Sequence, residues 1–267
     1  TDGDSSTTCA LSVATTSISV GATNRIYLDG GGNTYLYESA ADEVTLACGG
    51  ELIRLGDATG TGENTIYGVG AGLTIDANSD ANVFIGANVA DASLSGADNN
   101  VGVGHNALSA LTGGDGNIAI GKDAGLLLTD NTNNVAIGYL ALDGAPSGAN
   151  YNVCIGGEAG GIATNAGFDY NVMIGQDAGK GGNAALAHSV AIGADALNST
   201  ADNASTGQVA IGSSALTAVT DGTGNIAVGY QAGLVTTTGT NNVFIGHQVA
   251  DAVHVNSSSC VAIGRDA

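Results

Sequence analysis

The chain has 267 residues, of which 44 are Gly, one is Pro, three are Phe and none is Trp. This composition excludes a core built on large aromatic side chains, and the lack of a strict three-residue glycine period excludes collagen. Twenty-five acidic residues stand against 5 basic ones, a formal charge of −20, which argues against nucleic acid or anionic lipid as a partner, because binding phosphate needs clustered Lys and Arg.

Residues 1–63 carry two hairpin patterns. The first, NRIYLDGGGNTYLYES over Asn24–Ser39, alternates residues on either side of a Gly-rich turn, and the second is EVTLACGGELIRLG over Glu43–Gly56. We therefore predict an N-terminal β-hairpin region over 1–63. A Cys9–Cys48 disulfide stays open as an alternative, since the cysteines form no CxxC pair. Cys154 is predicted to be a small buried apolar residue.

A repeat begins at about residue 64 and continues to the end of the chain. Its pattern is N-V-x-I-G, and a fainter copy ends at Gly68. Gly86 and Gly264 are ten repeats and 178 residues apart, so the period is near 18 residues. The eleven repeat glycines are Gly86, Gly104, Gly121, Gly138, Gly156, Gly175, Gly193, Gly212, Gly229, Gly246 and Gly264. The chain starts at Thr1 and ends partway through a repeat, so we expect the array at 64–267 to belong to a longer protein.

Each copy predicts a short strand, a corner at the glycine, a second short apolar stretch and a return loop. Eighteen residues rich in Gly and Asn cannot form a pair of helices. One such coil cannot bury its own apolar face, so stability requires stacking on its neighbours. We therefore predict an all-β fold, a parallel β-solenoid of about 11 coils with a rise of ~4.8 Å per coil.

Both faces of the repeated strand are apolar. Val135 and Ile137 are two residues apart and share one face, which we assign to the solenoid interior. The residue between them points the other way and is never polar, so we assign it to contact with a second copy of the chain. A closed homotrimer is the preferred assembly, and a thicker monomeric solenoid is the alternative. The intervening residues are Phe84, Gly102, Ala119, Ala136, Cys154, Met173, Ala191, Ala210, Ala227, Phe244 and Ala262.

The position directly after each corner glycine is variable and mostly polar. It is predicted to face solvent and is the candidate contact surface for a receptor, while a solvated face without a ligand is the alternative. The candidate contact residues are His105, Lys122, Tyr139, Gln176, Tyr230, His247 and Arg265.

No pattern in the chain predicts a catalytic or metal site. The acids two residues after the corner glycine, Asp123, Glu158, Asp177, Asp195 and Asp266, are predicted to form a solvated ridge. A catalytic pair needs two unlike environments, so we expect no enzyme, although a glycan-cleaving fibre is the rival class. His105 and His247 share a column but stand eight coils apart, too far to share one ion. We expect no cofactor, and Ca²⁺ held by some of the Asp residues stays an alternative without a motif.

The repeat resembles the head repeats of trimeric autotransporter adhesins, the YadA-like heads. The nearest matches are HSVAIGADAL at His188–Leu197 and GQVAIGSSAL at Gly207–Leu216. This resemblance implies a trimeric left-handed parallel β-roll that binds host surfaces. The 18-residue period is longer than that of the adhesin heads, and no coiled-coil stalk or anchor barrel is visible in the sequence.

The longer Thr/Gly-rich loops and the copy NNVAIGYLAL, at Asn133–Leu142, resemble the versions found in bacteriophage tail fibres, as do the hairpins. The resemblance implies a fibre segment on the virion surface that attaches to a host-cell glycan or protein. Its expected partners are two further copies of itself and other virion tail or fibre proteins, without nucleic acid and without insertion into a membrane. A bacterial surface adhesin head and a purely structural fibre shaft are the alternatives.

Overall fold

The structure is a computed structural model and describes residues 25–27, 34–40, 43–48, 51–55, 64–76, 78–144, 148–161, 167–181, 186–198, 205–251 and 256–267. Strands, turns and bends are the regular elements in these ranges, which contain no helix. The predicted all-β class is confirmed. Cys9 lies outside the described residues, as does the side chain of Cys48, so the Cys9–Cys48 alternative stays untested.

The N-terminal strands form an antiparallel meander. They are β1 (Arg25–Tyr27), β2 (Thr34–Ala40), β3 (Glu43–Cys48) and β4 (Glu51–Leu55), and each pairs with the next. Both predicted hairpins are present as antiparallel strand pairs, β1 with β2 and β3 with β4. β4 then pairs antiparallel with the first strand of the repeat array, through Ile53 and Tyr67.

From that point the sheet is parallel. Its sixteen strands include twelve from the repeat array, one per coil, and like positions pair with like: Val135 with Val153 and Ile137 with Ile155. The predicted parallel β-solenoid is confirmed, and the faint copy at Gly68 forms its first coil. Two short strands, β12 (Leu186–Ala187) and β14 (Ser205–Thr206), pair in a separate sheet. The array strands are β5 (Thr65–Tyr67), β6 (Val83–Ile85), β7 (Val101–Val103), β8 (Ile118–Ile120), β9 (Val135–Ile137), β10 (Val153–Ile155), β11 (Val172–Ile174), β12 (Leu186–Ala187), β13 (Val190–Ile192), β14 (Ser205–Thr206), β15 (Val209–Ile211), β16 (Ile226–Val228), β17 (Val243–Ile245) and β18 (Val261–Ile263).

The assignment of the two strand faces is wrong. Ala136, expected at a partner chain, is 0% exposed and packs in the interior, whereas Val135 and Ile137 are only half-buried on the outside. Sequence alternation separates two faces but does not say which one turns inward, and here both are apolar. The middle strand position turns inward whether its side chain is small, as in Ala136, or large, as in Phe84 and Met173, which are also 0% exposed. The interior is closely packed, since a Cβ on Gly102 would lie 2.5 Å from a methyl carbon of Val89.

A ladder of buried polar side chains runs beside this core. The Asn before each strand accepts, on its Oδ1, the backbone N–H and the side-chain amide of the next coil, as Asn134 does from Asn152 at 3.0 Å each. Its own amide donates to Asn117 at 3.1 Å and to the Ala149 carbonyl at 2.9 Å. Buried amides need all these partners, so the Asn of the repeat is a packing residue. The ladder comprises Asn64, Asn82, Asn100, Asn117, Asn134, Asn152, Asn171, Ser189, Gln208, Asn225 and Asn242.

Candidate receptor-contact surface

Three parallel columns of side chains face outward beside one another. The outer stripe is the first and third residues of the array strands β6–β18, leaving out β12 and β14. The post-corner column is the residue directly after each corner glycine. The pre-strand column is the residue two positions before the start of each of these strands. Its members are Ala81, Asn99, Gly116, Asn133, Tyr151, Tyr170, His188, Gly207, Gly224, Asn241 and Ser259.

All seven predicted contact residues are exposed, and the structure aligns them in the post-corner column. Neighbouring coils bring some of them together. The Lys122 Nζ lies 5.3 Å from the centroid of the Tyr139 ring, and the Tyr230 and His247 rings are 5.3 Å apart. His105 and Arg265 extend the two groups by one coil each, whereas Gln176 stands alone. Their role in binding a receptor stays a prediction.

The basic side chains of the described array, Lys122, Lys180 and Arg265, are neutralised locally. Lys122 forms an ion pair and hydrogen bond with Asp123, which raises the pKa of Lys122 and lowers that of Asp123. Arg265 pairs with Asp266 at 3.2 Å. Lys180 pairs with Asp177, at 2.8 Å, and with Glu158, and both contacts raise the pKa of Lys180. Paired in this way, these cations do not form a basic patch for an anionic ligand.

The acidic column two residues after the corner differs from the expected solvated ridge. Asp123 is only 7% exposed, so the expectation is wrong for this residue. The backbone explains why Asp recurs here: Asp123, Asp177 and Asp195 have φ of 58°, 56° and 57°, a left-handed conformation that Asn and Asp tolerate better than most residues. The column therefore reflects turn geometry as well as charge.

A stack of aromatic rings in the pre-strand column was not predicted from the sequence. Tyr151 and Tyr170 lie with ring centroids 4.9 Å apart and planes within 3°, and Tyr170 and His188 follow at 5.1 Å and 5°. The two tyrosines are 49% and 54% exposed. The signal was present in the sequence, since bulky rings occupy three successive copies of a position that is otherwise mostly Gly or Asn.

Other reactive side chains of the described residues are dispersed. In those ranges, no three His, Cys, Asp or Glu side chains come close enough to hold a metal ion. Cys154 is fully buried and free, as predicted, and burial raises the pKa of its thiol. Burial, with smaller contributions from Glu158 and Asp123, raises the pKa of Asp143 to about 6.

Comparisons of the chain with protein-family models, curated proteins and solved structures found no match. The likeness to YadA-like heads and phage fibres therefore stays a prediction based on the repeats. Within the part of the chain that the structure describes, no helix is long and apolar enough to cross a membrane.

Proposed function

We propose that the chain is a segment of a virion attachment fibre, of the kind found in phage tails, in which three copies assemble and bind a host-cell surface. The observation that carries this proposal is the outer stripe. Its Val and Ile side chains are half-buried or exposed in every described coil, with Ile120 and Ile245 each 39% exposed. A continuous apolar strip along one face of a soluble β-structure is typical of an interaction site.

A second and a third copy are the preferred cover for this strip. The stripe runs the full length of the solenoid, so parallel copies around a common axis place identical coils at the same level. Cyclic symmetry of this kind closes the assembly and leaves no stripe uncovered. The side chain assigned to the interface thus changes from Ala136 to Val135 and Ile137, while the expectation of a homotrimer is retained as a proposal.

The flanking columns supply the contact with the host. The post-corner and pre-strand columns border the stripe and carry the exposed Tyr and His side chains described above. Three copies of each contact, repeated along many coils, raise the avidity of the fibre far above the affinity of a single contact. Other virion proteins would hold the fibre on the particle.

The mass of the intact assembly in native buffer tests the subunit contact. We expect three times the chain mass for the native protein, and a monomer for the double variant Ile120→Asp/Ile137→Asp, because each assembly would bury six unpaired carboxylates. The matched control is Leu73→Asp/Leu127→Asp, which places the same charges on exposed apolar side chains outside the stripe. A native monomer or dimer would contradict the proposed trimer.

Binding to cells tests the attachment function. The labelled native protein and the Ile120→Asp/Ile137→Asp variant are incubated with a panel of bacterial strains at equal chain concentration. We expect at least one strain to retain the native protein, and the monomeric variant to be retained at least ten-fold less, because multivalency is lost. Retention of the native protein by none of the strains would contradict attachment.

A further inference from the structure

The aromatic stack stands on backbone that disfavours bulky side chains. Tyr151, Tyr170 and His188 have φ of 59°, 58° and 54°. For a bulky side chain, this left-handed conformation costs on the order of 1–3 kcal/mol per residue, and Gly or Asn avoids most of that cost. Such strain, retained in three successive coils, is characteristic of positions at which the side chain itself has a role.

The stack is rigid and partly open to solvent. The coil spacing of ~4.8 Å holds the rings nearly parallel, 4.9 and 5.1 Å apart between centroids. Both faces of the Tyr170 ring are occupied, by Tyr151 on one side and His188 on the other. The stack therefore presents ring edges and phenol oxygens along its length, and a ring face only at its ends.

At the His188 end, the column continues without side chains. The next two members are Gly207 and Gly224, so no side chain of this column covers the second face of His188. A Cβ placed on Gly207 would have one neighbour within 4 Å among the described residues, and that neighbour is the backbone of Gly224, at 3.9 Å. Asn241 then leans over Gly224, with its Oδ1 2.6 Å from the place of a Gly224 Cβ. The gap between the His188 ring and the Asn241 amide is thus about two coil spacings, ~10 Å, or room for one ring at the level of Gly207.

We propose that this gap, bounded by His188 and Asn241 with Gly207 between them, binds one sugar ring of a neutral glycan. We call the gap the step, because the aromatic stack ends there. The inference rests on the proposed attachment function and names the ligand class. A pyranose has a flat C–H face that packs on the electron-rich face of an aromatic ring, and a rim of hydroxyls that an amide can hydrogen-bond. The formal charge of −20 disfavours an acidic glycan.

Two variants remove the step without straining the backbone. His188→Asn removes the ring, and Gly207→Asn fills the gap with a residue that the same column already holds at Asn133 and Asn241, both with φ of about 57–58°. The control is Gly116→Asn, the same exchange five coils earlier, where the nearest atom to the new Cβ would be the Oδ1 of the Asn133 side chain, at 2.8 Å, and the Asn133 Cα would lie at 3.9 Å.

Saturation-transfer NMR and calorimetry on the native protein measure binding of glucose, galactose and N-acetylglucosamine hexaoses, with a sialic acid hexamer as the anionic probe. We expect at least one neutral hexaose to bind and the sialic acid hexamer not to bind. Affinity should fall at least ten-fold in His188→Asn and Gly207→Asn and stay unchanged in Gly116→Asn.

Three outcomes overturn the inference. They are the absence of binding by all neutral hexaoses, equal affinity in the native protein and both step variants, and dissociation of the assembly by His188→Asn, which would make the stack a subunit contact. Native protein that binds cells but no neutral hexaose would contradict the sugar step and leave the attachment function standing.

Discussion

Gly138 and Gly156 stack at consecutive corners so closely that a Cβ on Gly138 would lie 2.7 Å from the carbonyl carbon of Gly156, and closer still to its oxygen. Gly138 also has φ of 136°, a region that residues with a Cβ rarely enter. The corner glycine is therefore required twice, by its own backbone conformation and by the approach of the next coil.

Replacement of a corner glycine should destabilise the solenoid strongly. For Gly138→Ala we expect a loss of about 3 kcal/mol or more in the free energy of unfolding, from backbone strain and the steric clash with a neighbouring coil. The control is Gly157→Ala, the next coil's post-corner residue, where a Cβ meets nothing within 4 Å among the described residues. That variant should be neutral or more stable by about 0.5 kcal/mol. Chemical denaturation followed by circular dichroism measures both, and equal stabilities would contradict the prediction.

Replacement of a ladder amide by a carboxyl should be costly although the shape is conserved. In Asn134→Asp, the two acceptors of the Asn134 amide, Asn117 Oδ1 and the Ala149 carbonyl, would face oxygen instead of N–H. We expect a loss of roughly 3 kcal/mol at pH 7 from unsatisfied buried groups, and a smaller loss at pH 4, where the new carboxyl is protonated. Asn133→Asp, on the exposed neighbour, should change stability by less than about 0.5 kcal/mol. An equal loss in the free energy of unfolding in Asn134→Asp and Asn133→Asp would contradict the prediction, because only Asn134 is a buried member of the ladder.

The sequence predicted the solenoid because the repeat sets both period and register. A corner glycine every 18 residues fixes the length of a coil, and identical strand residues, such as Val135 and Val153, then pair in register. One property could not be predicted from the sequence, and a second could be predicted only in part. Alternation in Val135–Ile137 does not show which face turns inward, because both faces of the strand are apolar. The rings of Tyr151 and Tyr170 occupy the same position of successive repeats, which the sequence shows, but their stacking geometry depends on a backbone conformation that a sequence pattern does not reveal.

The arrangement of the candidate contact residues was likewise predictable only in part from the sequence. Variable polar residues after each corner predicted exposure correctly, as Tyr139 and Gln176 show. The partners of Lys122 depend on the stacking of coils and on side-chain geometry, since it contacts Asp123 within its own coil and Tyr139 in the next.

Removal of one buried hydroxyl should stabilise the chain. Thr236 is 0% exposed, and its Oγ1 has no hydrogen-bond partner among the described residues. It occupies the position that Leu128 and Val219 fill in other coils, seven residues after the corner. Thr236→Val keeps the shape and removes the unsatisfied group, so we expect a gain of about 1 kcal/mol in the free energy of unfolding. Thr217→Val is the control and should lose stability, because the Thr217 hydroxyl donates to the Asp195 carbonyl at 3.0 Å. A destabilised Thr236→Val would contradict the prediction.

Stability should depend on pH through Asp143. Burial, with smaller contributions from Glu158 and Asp123, raises the pKa of this carboxyl from 3.8 to about 6, against the lowering effects of a hydrogen bond from its own backbone N–H and of Lys180. A carboxyl with a raised pKa in the folded state favours folding most when protonated, so its contribution is complete below pH ~3.9 and is lost as the pH rises to about 6.

Thermal unfolding between pH 3.5 and 7 measures this dependence. Asp143→Asn should flatten the fall in melting temperature between pH 4 and 6 and raise the melting temperature at pH 7, because the amide stays neutral throughout. Asp221→Asn alters an exposed carboxyl and should leave the native profile unchanged. If Asp143→Asn kept the native slope, the buried charge of Asp143 would not be its source, and another group of the acidic surface would have to titrate in that range.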